Sequence, residues 1–254
     1  MTRIVFAIDV TTSVVSISRI AESDAPATPI VSWVDPPLDG GSHRPRATWE
    51  RASGMADAVV SKVIAAGAPS VVVMAKQQWG GISGWKDPKS KRALVPADPS
   101  AGRRIQLHAL IEDRLHRAGV PVCEFPYVTA LRWAQGHGLK GSSQNSVMTA
   151  LTEFSGKTWG ILPRTELGKD GLPHTRPFRP AVSVLAGIGA MAVGVAVDGI
   201  DVTEQRLSVM GGADRKGGNA AVQWPRELLV PSTLKSWDEL RRRPEILTVG
   251  DRAA

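Results

Sequence analysis

Apolar positions fall in short blocks separated by turn formers. Ile4 to Val10 is an apolar run broken only by Asp9, and Val14 to Ile20 alternates Val, Ser, Ile and Ser with the period of two that marks a half-buried strand. The Thr-Thr-Ser between them suits a tight hairpin, and Ile30 to Val34 supplies a third strand, so the opening predicts an antiparallel meander. Residues 35–45 (DPPLDGGSHRP) form a turn-rich loop. Thr48 to Ala66 carries Ala, Met and Val on one face and stops at Gly67 and Pro69, as a helix does. Ser70 to Ala75 (SVVVMA) is a β-branched run suited to a buried strand.

Residues 80–102 have no sustained period and predict an exposed loop. In the next segment Ile105, Leu107, Leu110, Ile111, Leu115 and Ala118 recur at helical spacing until Gly119. Val120 to Phe125 is another strand, closed by Pro126; Val128 to Ala134 and Ser143 to Phe154 suit helices, the second with a capping Ser near its start. Residues 156–180 read as irregular. Ala181 to Val197 is uncharged and rich in Ala and Gly; it falls short of the roughly 20 residues of a membrane span and predicts a buried helix. Beyond Gly199 the composition shifts to Gly, Arg and Pro, with a linker-like GGADRKGGN at 211–219, and the last 40 residues are expected to dock loosely or stay partly disordered. The organisation expected is one α/β domain over 1–200, a mixed sheet flanked by helices, and a basic, partly irregular appendage over 201–254.

Composition adds compartment and partner. At 254 residues and 43% hydrophobic the chain can bury a sizeable core without staples. Its one cysteine, Cys123, leaves no intrachain disulfide to form, which fits a reducing compartment. MTRIVFAIDV passes straight into a strand with no signal-peptide pattern, so the expected location is cytoplasmic, with no membrane association. A formal charge of +7 and a pI near 9.9 point toward a polyanionic partner.

Asp9 is the first candidate for chemistry. A carboxylate closing an apolar strand is costly to bury unless it binds something; it is either a metal ligand or a turn residue accepting nearby backbone N–H bonds. The second candidate is the loop after the Ser70 to Ala75 strand. Between 86 and 104 it sets six cations (Lys86, Lys89, Lys91, Arg92, Arg103, Arg104) against two aspartates, flanked by Trp79 and Trp85. Basic groups beside aromatics suit phosphate contact and base stacking, or else a solvated loop with structural tryptophans. Residues 215–243 hold seven cations against three acids, which fits a second phosphate-contacting arm or a solvated face. The histidines (His43, His108, His116, His137, His174) show no zinc spacing with cysteine, and His116 reads as a surface residue.

The strand ending at Asp9, its hairpin partner Val14 to Ile20, the buried strand Val71 to Ala75, the helix RIQLHALIEDRLHRAG, the strand VPVCEFP and the segment YVTALRWAQGHGLKGSSQNSVMTAL together resemble RuvC-like Holliday-junction resolvases of the RNase H-like superfamily, over roughly residues 3–198. The resemblance implies a three-strand antiparallel meander plus parallel strands, a Mg2+- or Mn2+-dependent endodeoxyribonuclease with two metals held by about four carboxylates, branched or single-stranded DNA as partner, and a homodimer. Asp9 matches the first ligand position. The second, normally Glu, falls on Lys76, and RPFRPAVSVLAGIGAMAVG, where the last pair belongs, has no acid. The implied protein is thus a junction or branched-DNA resolvase with an incomplete metal site. The alternatives are a non-enzymatic DNA-binding or assembly subunit, or an active nuclease that recruits Glu50, Asp57 or Asp198. IDVTTS also resembles the first phosphate loop of actin-like ATP-binding proteins, but these need a second domain copy that 200–254 is too short to supply.

Overall fold

The computed structural model describes residues 2–36, 45–76, 100–137, 144–163, 165–167, 173–175, 179–212, 222 and 224–242. Five strands form one sheet in the order β3-β2-β1-β4-β5. β1 (Ile4–Val10), β2 (Val15–Ala21) and β3 (Ile30–Val34) make the antiparallel meander, while β4 (Val71–Ala75) and β5 (Val122–Phe125) run parallel to β1. This is the α/β class and mixed sheet that the hydrophobic pattern predicts. The hairpin between β1 and β2 closes on Thr11, whose hydroxyl donates to the Val14 carbonyl at 2.7 Å and accepts from the Val14 N–H at 3.0 Å.

Strand alternation splits the core between two faces. Phe6, Ile8, Val72 and Met74 face α1 (Pro45–Ile64) and α2 (Ala101–Arg117), while Val5, Ala7, Val71, Val73 and Ala75 face the other side. That second face carries α3 (Tyr127–Gln135), α4 (Gln144–Trp159), α5 (Val182–Ala192) and α6 (Glu204–Met210). Cys123 is fully buried there, and burial holds its thiol well above the usual range, as expected of an inert core cysteine.

α5 lies against β1, β2 and β4, and the close approach depends on Gly189. A Cβ at this position would sit 2.7 Å from Val5 Cγ1 and 2.8 Å from Val73 Cγ2. Both neighbours are β-branched with stiff χ1 angles and cannot swing away. Gly189→Ala is therefore expected to destabilise by about 1–3 kcal/mol through overpacking, more than the roughly 1 kcal/mol that alanine gains in helix propensity. Gly54, on the exposed side of α1 with open space around it, is the control: Gly54→Ala should stabilise. Urea denaturation of the pair checks this; equal midpoints would show that α5 has slack above the sheet.

Two expectations differ from the structure. The helix starting near Ala181 ends at Ala192 rather than Val197, because Gly194 takes a left-handed φ of 74°. Residues 156–180 are not wholly irregular: α4 runs to Trp159, and β6 (Thr165–Leu167) pairs with β7 (Pro173–Thr175). Past residue 201, Leu207, Val209, Met210, Leu228 and Trp237 pack into the α5-face core, Trp237 from α7 (Leu234–Arg242). Among the described residues no helix is long and apolar enough to cross a membrane.

Candidate functional site

The parallel pairing of β1 with β4 brings the carboxyl ends of the central strands to one sheet edge, where ligands collect in open α/β sheets. Asp9 is the last polar residue on β1 and is only 1% exposed. It pairs with Ser16 across the hairpin, which puts both on the α5 face. Its carboxylate accepts from the Tyr127 hydroxyl at 2.8 Å, and Arg179 Nη1 donates to the same Oδ2 at 3.1 Å. The Arg179 backbone N–H donates to Ser16 Oγ at 3.1 Å, a second tie to the same pair of strands.

The local sequence explains how Arg179 arrives there. A proline disfavours helical dihedrals in the residue before it, so Arg179 is held out of α5 by Pro180. The Pro180 carbonyl accepts from Ser183 Oγ at 2.7 Å, and the Ser155 hydroxyl, 3.1 Å from that carbonyl and also against Ser183 Oγ, donates to one of the two. This knot joins α4 to the first turn of α5 and fixes the approach of Arg179. Tyr127 opens α3 directly after β5.

The Asp9 carboxylate acts on both of its donors. Asp9 beside it raises the Arg179 guanidinium above its usual range, against the opposing effect of burial. Burial is the main cause, with Asp9 adding to it, that pushes the Tyr127 phenol well above the usual range, so the hydroxyl remains a donor at neutral pH.

Lys76 caps β4. Its N–H donates to the Phe125 carbonyl at 3.1 Å, in the same phase of the ladder as the Val72 N–H to Pro121 at 2.8 Å. That phase places Lys76 with Val72 and Met74, toward α1 and α2, whereas Asp9 follows Val5 and Ala7 toward α5. One step beyond the Ile8–Met74 pair, Ala75 stands level with Asp9. The cation on Asp9 is Arg179.

Trp79, Trp85, Lys86, Lys89, Lys91 and Arg92 lie outside the described residues. Arg103 is exposed in the first turn of α2; Arg104, beside it, faces a cavity shared with Arg179. Asp57 is on α1, with Arg114 Nε 3.2 Å away, and Asp198 and Glu50 are exposed. The groups that reach the Asp9 carboxylate among the described residues are thus a phenol and a guanidinium. Mg2+ takes oxygen ligands, usually with more than one carboxylate, and no cluster of three or more His, Cys, Asp or Glu placed to hold a metal occurs among the described residues.

Sequence reasoning missed Arg179, Tyr127 and the setting of His108. His108 is buried on α2, with Glu124 Oε1 3.3 Å from its Nε2 and Glu112 Oε2 3.9 Å from its Nδ1. Burial lowers its pKa, opposed by Glu124, Glu112, the Ala75 backbone and Asp9. An unfolded chain then binds a proton more readily than the folded one, so this residue subtracts stability as pH falls below about 6.5 and has no effect above it. Chemical denaturation at pH 7.5 and 5 should show a smaller loss for His108→Gln than for the parent chain; equal losses would assign the acid sensitivity to other groups.

A scan against family models found no match, and neither did a search of curated protein sequences. Among solved structures, the chain is similar to RuvC of Thermus thermophilus, at 16% identity and a TM-score of 0.48, covering 77% of this chain and 99% of that one. It is also similar to T. thermophilus RuvC in complex with a Holliday junction substrate, at 15% identity and a TM-score of 0.44, with the same coverage.

Proposed function

We propose that the chain is a RuvC-like nucleic-acid-binding protein that engages branched or single-stranded DNA without a working two-metal nuclease centre. The observation that carries this reading is the ion pair at the end of β1. Where a dication would need converging carboxylates, Asp9 meets the Arg179 guanidinium at 3.1 Å. A fixed positive charge there repels a dication and occupies the anionic ligand. The net charge of +7 and Arg103 and Arg104 at the start of α2 support a polyanionic partner. The basic loop over 86–104 belongs to the same proposal, as does pairing of two copies on a symmetric junction.

A gel assay with a synthetic four-way junction tests the reading. The expected result is a shifted complex in EDTA, weakened steeply by salt, with no cleavage in Mg2+ or Mn2+. Metal-dependent cutting that Asp9→Asn abolishes would restore the nuclease. Absence of any shift, with a single-stranded oligonucleotide as well, would favour an assembly subunit.

A further inference from the structure

We propose that the cleft between α4 and the Arg179–Pro180 turn is a metal-independent phosphate-binding site, in which Asp9 acts as a positioning residue for Arg179. The inference rests on the DNA-binding reading above and names the group on the DNA that this surface takes. The cavity has a volume of about 560 Å3, within the range of ligand sites. Arg104 from the first turn of α2 and Arg179 from the turn before α5 both line it, with Gln144, Asn145 and Thr149 from the start of α4. One carboxylate, the exposed Glu153, also borders it.

The disposition of the Arg179 donors carries the argument. Nη1 is committed to Asp9, at 3.1 Å from Oδ2 and 3.5 Å from Oδ1. Nε and Nη2, the edge of the guanidinium that binds a phosphate in bidentate fashion, have no partner among the described residues, and the side chain is 32% exposed. Arg206 is the contrast. Its Nε, Nη1 and Nη2 donate to the carbonyls of Trp133, Asp201 and Ala134, so that guanidinium is consumed in structure. Asp9 therefore holds one end of a guanidinium whose side chain lines the cavity. Arg104 adds a second cation, and the amides and the hydroxyl add neutral donors. Such a set binds a phosphodiester without a metal bridge. Asp9 sets the geometry of Arg179, and Arg104 stands beside it in the lining.

The test measures binding of the full chain to a fluorescently labelled four-way junction in EDTA, by anisotropy. Arg179→Lys keeps a cation for Asp9 but loses the fork; Arg104→Gln removes the second cation; Gln144→Glu places a negative charge on an exposed rim position away from the Asp9 pair. Each should weaken binding about tenfold or more, the scale of a lost charge-assisted hydrogen bond, with thermal melting confirming the fold. Arg104→Gln should also reduce the salt slope by about one. In parallel, inorganic phosphate should raise the melting temperature of the parent chain above that in chloride at equal ionic strength, and less so in the variants. Variants that melt normally and bind the junction as the parent does overturn the cleft while leaving DNA binding intact. Protection by phosphate that depends on Arg104, in a chain that binds no DNA, supports the cleft and overturns the DNA reading. Neither binding nor protection overturns both.

Discussion

Replacing Arg179 with methionine is expected to lower the unfolding free energy by about 2–4 kcal/mol, because it strips the cation from a carboxylate with almost no access to water. Removing one partner of a buried pair leaves an uncompensated charge, a loss of about 3–5 kcal/mol when burial is complete. Here Asp9 is 1% exposed but Arg179 is 32% exposed, so water entering the space moderates the loss. The Tyr127 hydroxyl still donates to Asp9 and moderates it further. At this chain length the change corresponds to a melting temperature lower by about 4–16 °C. Asp9→Asn should cost less, since it leaves Arg179 with access to solvent rather than a stranded buried charge. Combined with Arg179→Met, it should restore part of the loss. A double-mutant cycle by urea denaturation measures this coupling; strictly additive losses would show that the two groups do not interact in solution.

The second large effect is at Trp133. Its ring is fully buried in the α5-face core, and a Cβ on Gly187 of α5 would lie 3.3 Å from it. The Arg206 guanidinium sits 5.6 Å from the ring centroid on the α6 side. One side chain thus joins α3, α5 and α6. Trp133→Ala should cost about 3–5 kcal/mol, the range for deleting a buried large aromatic, or about 6–20 °C in melting temperature. The control is Trp49, which is 52% exposed on α1 and whose truncation should stay within about 0.5 kcal/mol. The same variant carries a local consequence: Tyr127 opens the helix that Trp133 anchors, so loosening α3 should disturb the Asp9 site as well. Comparable midpoints for Trp133→Ala and Trp49→Ala would contradict the packing.

The sheet was legible because its signal is local. β1 and β4 are short apolar runs, and β2 alternates with a period of two, so the meander and the mixed sheet follow from order and spacing. β6 and β7 span three residues each, too few to establish a period. α6 and α7 have seven and nine residues in Gly-, Arg- and Pro-rich surroundings. The signal for α6 was present nevertheless, since Thr203 caps it by accepting from the Arg206 N–H at 3.2 Å.

The site was legible by half. An acid at the end of an apolar strand identified Asp9 from the chain alone. Its partners lie 118 and 170 residues away, and no local pattern connects them. The stretch before α5 has no carboxylate and carries Arg179 within RPFRP, with no local pattern to tie that cation to β1. Lys76 ends the neighbouring strand and continues the ladder phase of Val72 and Met74.

Tyr127 is the chain's single tyrosine, and its phenol is closed inside the pair it supports. Tyrosinate absorbance in this protein therefore arises from one oxygen, the one bonded to Asp9. Because burial and Asp9 hold that phenol well above its usual range, its ionisation on alkaline titration is expected to come late, which gives the site an intrinsic optical marker with no label attached.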